Sequence, residues 1–228
     1  IMFNNTNPVK QNSFLLSWLI LTFILVLAMI VIGGITRITD SGLSMVEWRP
    51  ILGFLPPLSN QEWERVFDLY KNTPEYSYYN KGMLLSDFKF IFFWEYFHRL
   101  WGRIIGIVFI IPFVYLIFTN KIERFVTIRL LIILFFGSLQ AFIGWWMVKS
   151  GLIDKPDVSQ YRLAIHFGNS LLILFLLFWL ILDLKDKKSK IKFDLNVIVF
   201  LILFITIIAG SLVAGMDAGL MYNTYPLM

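Results

Sequence analysis

Apolar residues fall into five long blocks, near 14–36, 90–118, 125–148, 163–183 and 193–215, separated by short charged links and one long polar segment. Each block is long enough to cross a hydrocarbon layer of about 30 Å as a helix, which takes roughly 20 residues. The pattern predicts an all-α polytopic membrane protein. The first block is too long for a cleaved secretory signal and runs into "GGITRITDSGL" rather than a small-residue cleavage pattern, so it is expected to stay as a span.

Lysine and arginine in short links set orientation, because cytoplasmic links carry the excess. The link between the second and third spans holds Lys121, Arg124 and Arg129, and that between the fourth and fifth holds Lys185, Lys187, Lys188, Lys190 and Lys192. Both links are therefore expected in the cytoplasm, with residues 1–13, while 37–88 and the turn "KSGLIDKPDVSQ" face outward. A multi-pass membrane protein with its N-terminus in the cytoplasm is expected.

Between the spans, the outer segment carries its own helical pattern. "LSNQEWERVFDLYKN" opens with Ser59 and Glu62 at capping-box spacing and places Trp63, Val66, Phe67 and Tyr70 along one stripe. A short amphipathic helix is predicted, bounded by "LPPL" and "NTPEY", either as a roof over a pocket or as an ordinary surface helix.

A repeat is visible at the ends of the first and fifth spans. "GGITRITDSGLS" and "GSLVAGMDAGLM" align at a shift of 177, pairing Gly33 with Gly210, Asp40 with Asp217, Gly42 with Gly219 and Leu43 with Leu220. Four spans per period give copies of the same orientation. The expected organisation is a four-helix transmembrane bundle over 14–184, a Lys-rich cytoplasmic linker at 185–192, and the first helix of a second, repeated bundle at 193–228. On that reading the sequence is one complete unit plus the start of another, with three spans still to follow. Recurrence of Asp and Gly merely as helix-end residues is the competing explanation.

Of 228 residues, 58% are hydrophobic, which excludes an ordinary soluble domain. The net charge of +5 comes largely from the Lys-rich link, so acidic lipid is the expected partner and nucleic acid is not. The absence of cysteine excludes disulfides and thiolate-held metals.

Against this background the stretch "FFWEYFHRLWGRIIG" is unusual, carrying Glu95, His98, Arg99 and Arg103 inside a span. Ionisable groups at such depth face a bundle interior or a cavity and mark function. The only other histidine, His166, lies in the fourth span at a similar expected depth. Two facing imidazoles with few carboxylates suit the axial positions of a haem iron. Gly102 and Gly106 near His98, Gly168 beside His166, and Gly137 and Gly144 in the third span could leave room for a flat macrocycle. Arg162, one turn outward of His166, could meet a propionate, as could Arg103. Arg99, four residues after Glu95, could form a structural ion pair with it, and with Arg103 and Gly102 it is also a candidate haem-binding residue. Alternatively Glu95 could act on the axial imidazole or the porphyrin edge, and each histidine could merely hydrogen-bond across helices. The surrounding aromatics, including Trp94, read mostly as packing.

"EYFHR", "QYRLAIHFG", "GGITRITDSGLSMVEWRP", "LQAFIGWWMVKSGL" and "AGMDAGLMYNTYPLM" together resemble haem A synthase of the cysteine-free α-proteobacterial and mitochondrial type, over residues 20–228. The resemblance implies eight spans in two four-helix halves, each with a histidine pair, and oxidation of the C8 methyl of haem O to a formyl group for terminal oxidase assembly. It implies that His98 and His166 are the first pair, that Glu95 is catalytic, and that haem b sits in a second half absent from this sequence. A fragment without that half is expected to be inactive alone. Haem O synthase, oxidase assembly factors and a homo-oligomer are the partners implied. A bis-histidine b-type cytochrome carrying electrons is the alternative function, and a transporter lacks the broken helices expected of one.

Overall fold

The computed structural model describes residues 13–48, 52–153, 156–186 and 195–221. Among these residues five helices are long and apolar enough to cross a membrane: α1 Ser13–Ile38, α4 Leu85–Phe118, α5 Arg124–Gly151, α6 Gln160–Asp186 and α7 Leu195–Gly215. Between α1 and α4 lie a 3₁₀ turn, Leu52–Phe54, and two short helices, α2 Asn60–Lys71 and α3 Pro74–Tyr78; α8 Ala218–Met221 follows α7. The apolar blocks of the sequence thus became the spans, with α4 starting earlier than its apolar run because "LLSDFK" continues the helix with Asp87 in the first turn. Most of the Lys-rich link, 187–194, lies outside the described residues.

α1 packs against both α4 and α6, and α6 packs against α5 and α7, whereas α4 and α5 barely touch. The four-helix bundle α1, α4, α5, α6 is therefore closed on three sides and loose along one seam. Its apolar core fills the half away from the cap formed by residues 39–48 and 52–84, with Leu15, Trp18, Leu19 and Val26 of α1, Phe109, Phe113 and Leu116 of α4, Leu130 and Ile133 of α5, and Leu177 and Leu180 of α6. A second buried cluster, Phe67, Tyr70, Phe88, Ile91 and Phe92, ties α2 to the start of α4. The layer between these two dry clusters contains both histidines.

Pro112 in α4 cannot donate to the carbonyl four residues earlier. The indole of Trp18 donates to that freed Val108 carbonyl at 2.8 Å, restoring a bond that water cannot supply in a bilayer.

α2 begins where the capping box predicts, Ser59 Oγ accepting from the Glu62 N–H at 3.2 Å. "NTPEY" does more than end it, because Thr73 caps α3 with Pro74 in its first turn. At the repeat, Asp40 and Asp217 adopt the same left-handed backbone, φ 46° and 51°, where their helices stop. Arg37 binds across the two copies, to Asp40 at 2.9 Å, to Asp217 at 2.5 Å and to the Ala214 carbonyl at 2.8 Å. Ala214 is Arg37's own counterpart at the shift of 177.

A candidate haem layer beneath the cap

Glu95 is buried and fully engaged. One carboxylate oxygen accepts from Ser44 Oγ and from the Met45 N–H, each at 2.7 Å, and the other pairs with Arg99 one turn on. Arg99 also donates to the Met45 carbonyl at 3.1 Å and lies over the Trp48 ring. The carboxylate thus pins the chain that leaves α1 onto α4. Sequence reasoning anticipated the Arg99 pair but not Ser44 and Met45, whose only signal was the small polar run "DSGLSM".

The histidines occupy a single level. Gly33 lies five residues from the end of α1, Gly144 seven from the end of α5, and His166 six from the start of α6. At a rise of 1.5 Å per residue these positions are all about 8–11 Å below the cap-side helix ends. His98 stands against Gly33, where an added Cβ would come within 3.5 Å of its Nε2; His166 stands against Gly144, where a Cβ would come within 3.0 Å of its Cε1. The two imidazoles are electrostatic neighbours, His98 being the titratable group that acts on His166. Both rings lie deep in the bundle yet keep some accessible surface, as side chains bordering an internal gap do.

Gln140 of α5 was not anticipated. Its amide donates to the His166 carbonyl at 3.0 Å and lies 3.3 Å from His166 Nε2, while Asn169 donates to its oxygen at 2.6 Å. His166 Nδ1 is buried with no partner. A buried polar atom left so is costly, about 1–3 kcal/mol, unless something else occupies the site.

The other residues singled out by sequence divide. Arg162 is on the cap side of His166, donating to the Trp146 carbonyl at 2.7 Å and stacked on the Trp146 ring at 4.3 Å. Arg99 faces Met45 and Trp48 instead, and Arg103 lies 5.3 Å from the Phe54 ring. An added Cβ would come within 3.4 Å of Met29 Cε of α1 at Gly102 and within 3.0 Å of Ile208 Cδ1 of α7 at Gly168, so each also borders a neighbouring helix. Among the described residues no cluster of three or more His, Cys, Asp or Glu side chains could hold a bare metal ion. The donor set is a pair of imidazoles, which suits a metal that brings its other ligands with it.

In the cap, Glu75 is buried with Oε2 unpartnered. Burial raises its carboxyl from 4.5 to about 8; the Tyr70 hydroxyl opposes this, while the charges of Glu95, Asp40 and Asp157 add to it. The folded state therefore keeps a proton that the unfolded chain releases near 4.5, and stability should fall as pH rises from about 4.5 to about 8, then level off. Glu75→Gln, which mimics the neutral acid, should flatten that slope in thermal unfolding of detergent-solubilised protein at pH 5 and pH 8. An unchanged slope would mean that Glu75 is ionised in the fold.

A multi-pass, all-helical membrane protein with a two-imidazole layer under a helical cap is the class that this arrangement defines. The chain belongs to the cytochrome oxidase assembly protein (COX15-CtaA) family, whose sequence model matches residues 16–228. It is 48% identical over 219 residues to the Heme A synthase of Nitrosospira multiformis, covering 92% of this chain and 62% of that protein. The Heme A synthase of Parvibaculum lavamentivorans is 46% identical over 215 residues, with the same coverage. That of Rickettsia canadensis is 46% identical over 228 residues, covering 96% of this chain and 67% of the relative. The chain thus spans about three fifths of the length of the first two relatives. No solved structure matches it.

Proposed function

We propose that this chain is the greater part of a haem A synthase, which oxidises the C8 methyl group of haem O to a formyl group. The observation that carries the reading is the layer shared by His98 and His166, set level between two dry clusters and backed by glycines. A haem group fits the residues present: His166 Nδ1 lacks a partner, among the described residues no group of three or more His, Cys, Asp or Glu could hold a bare metal ion, and the seam between α4 and α5 is loose. When bound, haem O supplies a redox-active iron and the methyl group that is oxidised.

The chain's own residues then have defined tasks. His98 and His166 would hold the haem iron through their imidazoles, with Gln140 steadying the His166 ring. Arg162 neutralises a propionate. Glu95, one turn toward the cap from His98, would be the base or charge stabiliser beside the methyl carbon, held in place by Ser44, Met45 and Arg99. The dry clusters above and below keep water out.

In the same proposal the cap faces outward from a bacterial inner membrane, and 14–184 is one haem-binding unit followed by the linker 185–192. Residues 193–228 begin a second unit that holds haem b. Haem O synthase, oxidase assembly factors and further copies of the chain are the proposed partners. Saturation of Glu95 by Ser44, Met45 and Arg99 favours one other reading, a b-type cytochrome with a permanent haem. Haem extracted after full-length protein is expressed beside a haem O source separates them. Formyl or hydroxymethyl haem is expected, and unaltered haem O alone would overturn the synthase reading.

A further inference from the structure

We infer that Trp94, with Arg162, binds the carboxylate arms of the porphyrin and so decides which edge of the ring faces the cap. The inference rests on the haem reading above and deepens it. Trp94 lies four residues before His98 on α4, and Arg162 four residues before His166 on α6. Each is about 6 Å nearer the cap than its histidine, on the same helix face. That offset is comparable with the reach of a carboxyethyl arm beyond the metal centre.

The Trp94 ring packs against Phe93 and Phe97, with ring centroids at 5.5 and 6.4 Å, yet its indole nitrogen is buried and has no hydrogen-bond partner. An indole N–H is a donor only, and a buried one ordinarily finds an acceptor. The comparison with Trp18 and Trp101 is direct. Both donate to α-helical carbonyls, at 2.8 and 2.9 Å, because they lie where α1 and α4 meet. Trp94 has no such acceptor; by helix register it lies one turn to the cap side of His98, as Arg162, stacked on Trp146, lies one turn to the cap side of His166.

On the far side of the layer the neighbours are apolar, with Val26, Ile133 and Ile173 buried and Ile105 packed on them. A carboxylate directed there would be desolvated and unpaired. The two propionates therefore point toward the cap. In haem O the C8 methyl shares its pyrrole ring with one propionate, so the same orientation brings that methyl into the cap-side half of the layer, where Glu95 is held. Trp94 thus contributes regiochemistry by orienting the ring, and it takes no part in bond making.

The test compares ferric protohaem IX with its dimethyl ester, titrated into full-length protein and followed by the part of the Soret band that depends on His98. Wild type should prefer the free acid, and Trp94→Phe, which keeps the aromatic packing, should shrink that preference about tenfold, as expected for one hydrogen bond to a charged group. An unchanged preference in a variant that still binds haem through His98 would overturn the inference. Should Trp94→Phe not fold, Trp94→His retains a ring N–H and should keep the preference; binding without it would also overturn the inference. A wild-type Soret band unaffected by His98→Ala would instead contradict the haem reading itself.

Discussion

Glu95→Ala should release the 41–48 segment from α4 and lower stability by about 3–5 kcal/mol, the usual cost of removing one partner from a buried ion pair. Arg99 would be left inside the bundle with the Met45 carbonyl as its acceptor, and Ser44 Oγ and the Met45 N–H would lose theirs. Glu95→Gln separates structure from chemistry. Its amide oxygen can still accept from Ser44 and Met45, so the segment should stay docked and haem binding should persist, while conversion of haem O drops by at least about 10², the scale of a lost acid–base group. Thermal unfolding and product analysis on the same preparations read the two effects apart. Full activity in a folded Glu95→Gln protein would reduce Glu95 to a structural clamp.

The second large effect concerns the histidines and has two opposite signs. His166→Leu should abolish the haem signal of this layer while making the empty bundle more stable. The imidazole lies among protein atoms with Nδ1 unpartnered, and an apolar side chain of similar size removes that cost, about 1–3 kcal/mol. His98→Leu should lose the same signal. Binding sites commonly trade stability for function in this way. Unfolding of haem-free protein, wild type against His166→Leu, measures the gain; a loss of stability would show that the imidazole is a satisfied core residue.

The spans were legible because lipid imposes a simple rule: about 20 apolar residues in helical form. The histidine pair was legible for the complementary reason, since a titratable group in such a run is costly and therefore conspicuous. The contacts of Glu95 were less so. Its pair with Arg99 follows from helical spacing, but Ser44 and Met45 reach it only because the chain folds back over α4, which no local pattern encodes. Gln140 was hidden by the same kind of distance, 26 residues before its histidine and on another helix. Gly102 and Gly168 were expected to make room for a macrocycle, and the sequence did not reveal that each also borders a side chain of another helix, Met29 and Ile208. The aromatic stretch was the least informative: Trp18, Trp94 and Trp101 look alike in sequence and differ in whether a carbonyl lies opposite each indole.

Whether His98 and His166 share one iron is tested most directly by haem stoichiometry and low-spin ferric electron paramagnetic resonance on full-length protein carrying each alanine substitution and both together. If one metal is shared, each single variant loses the same signal and the same single equivalent of haem, and the double variant loses no more, because residues acting as a unit are not additive. The second unit keeps its own bis-imidazole signal throughout, so a single variant that retains the full wild-type signal and haem content, or separate losses that add in the double, would contradict the shared layer.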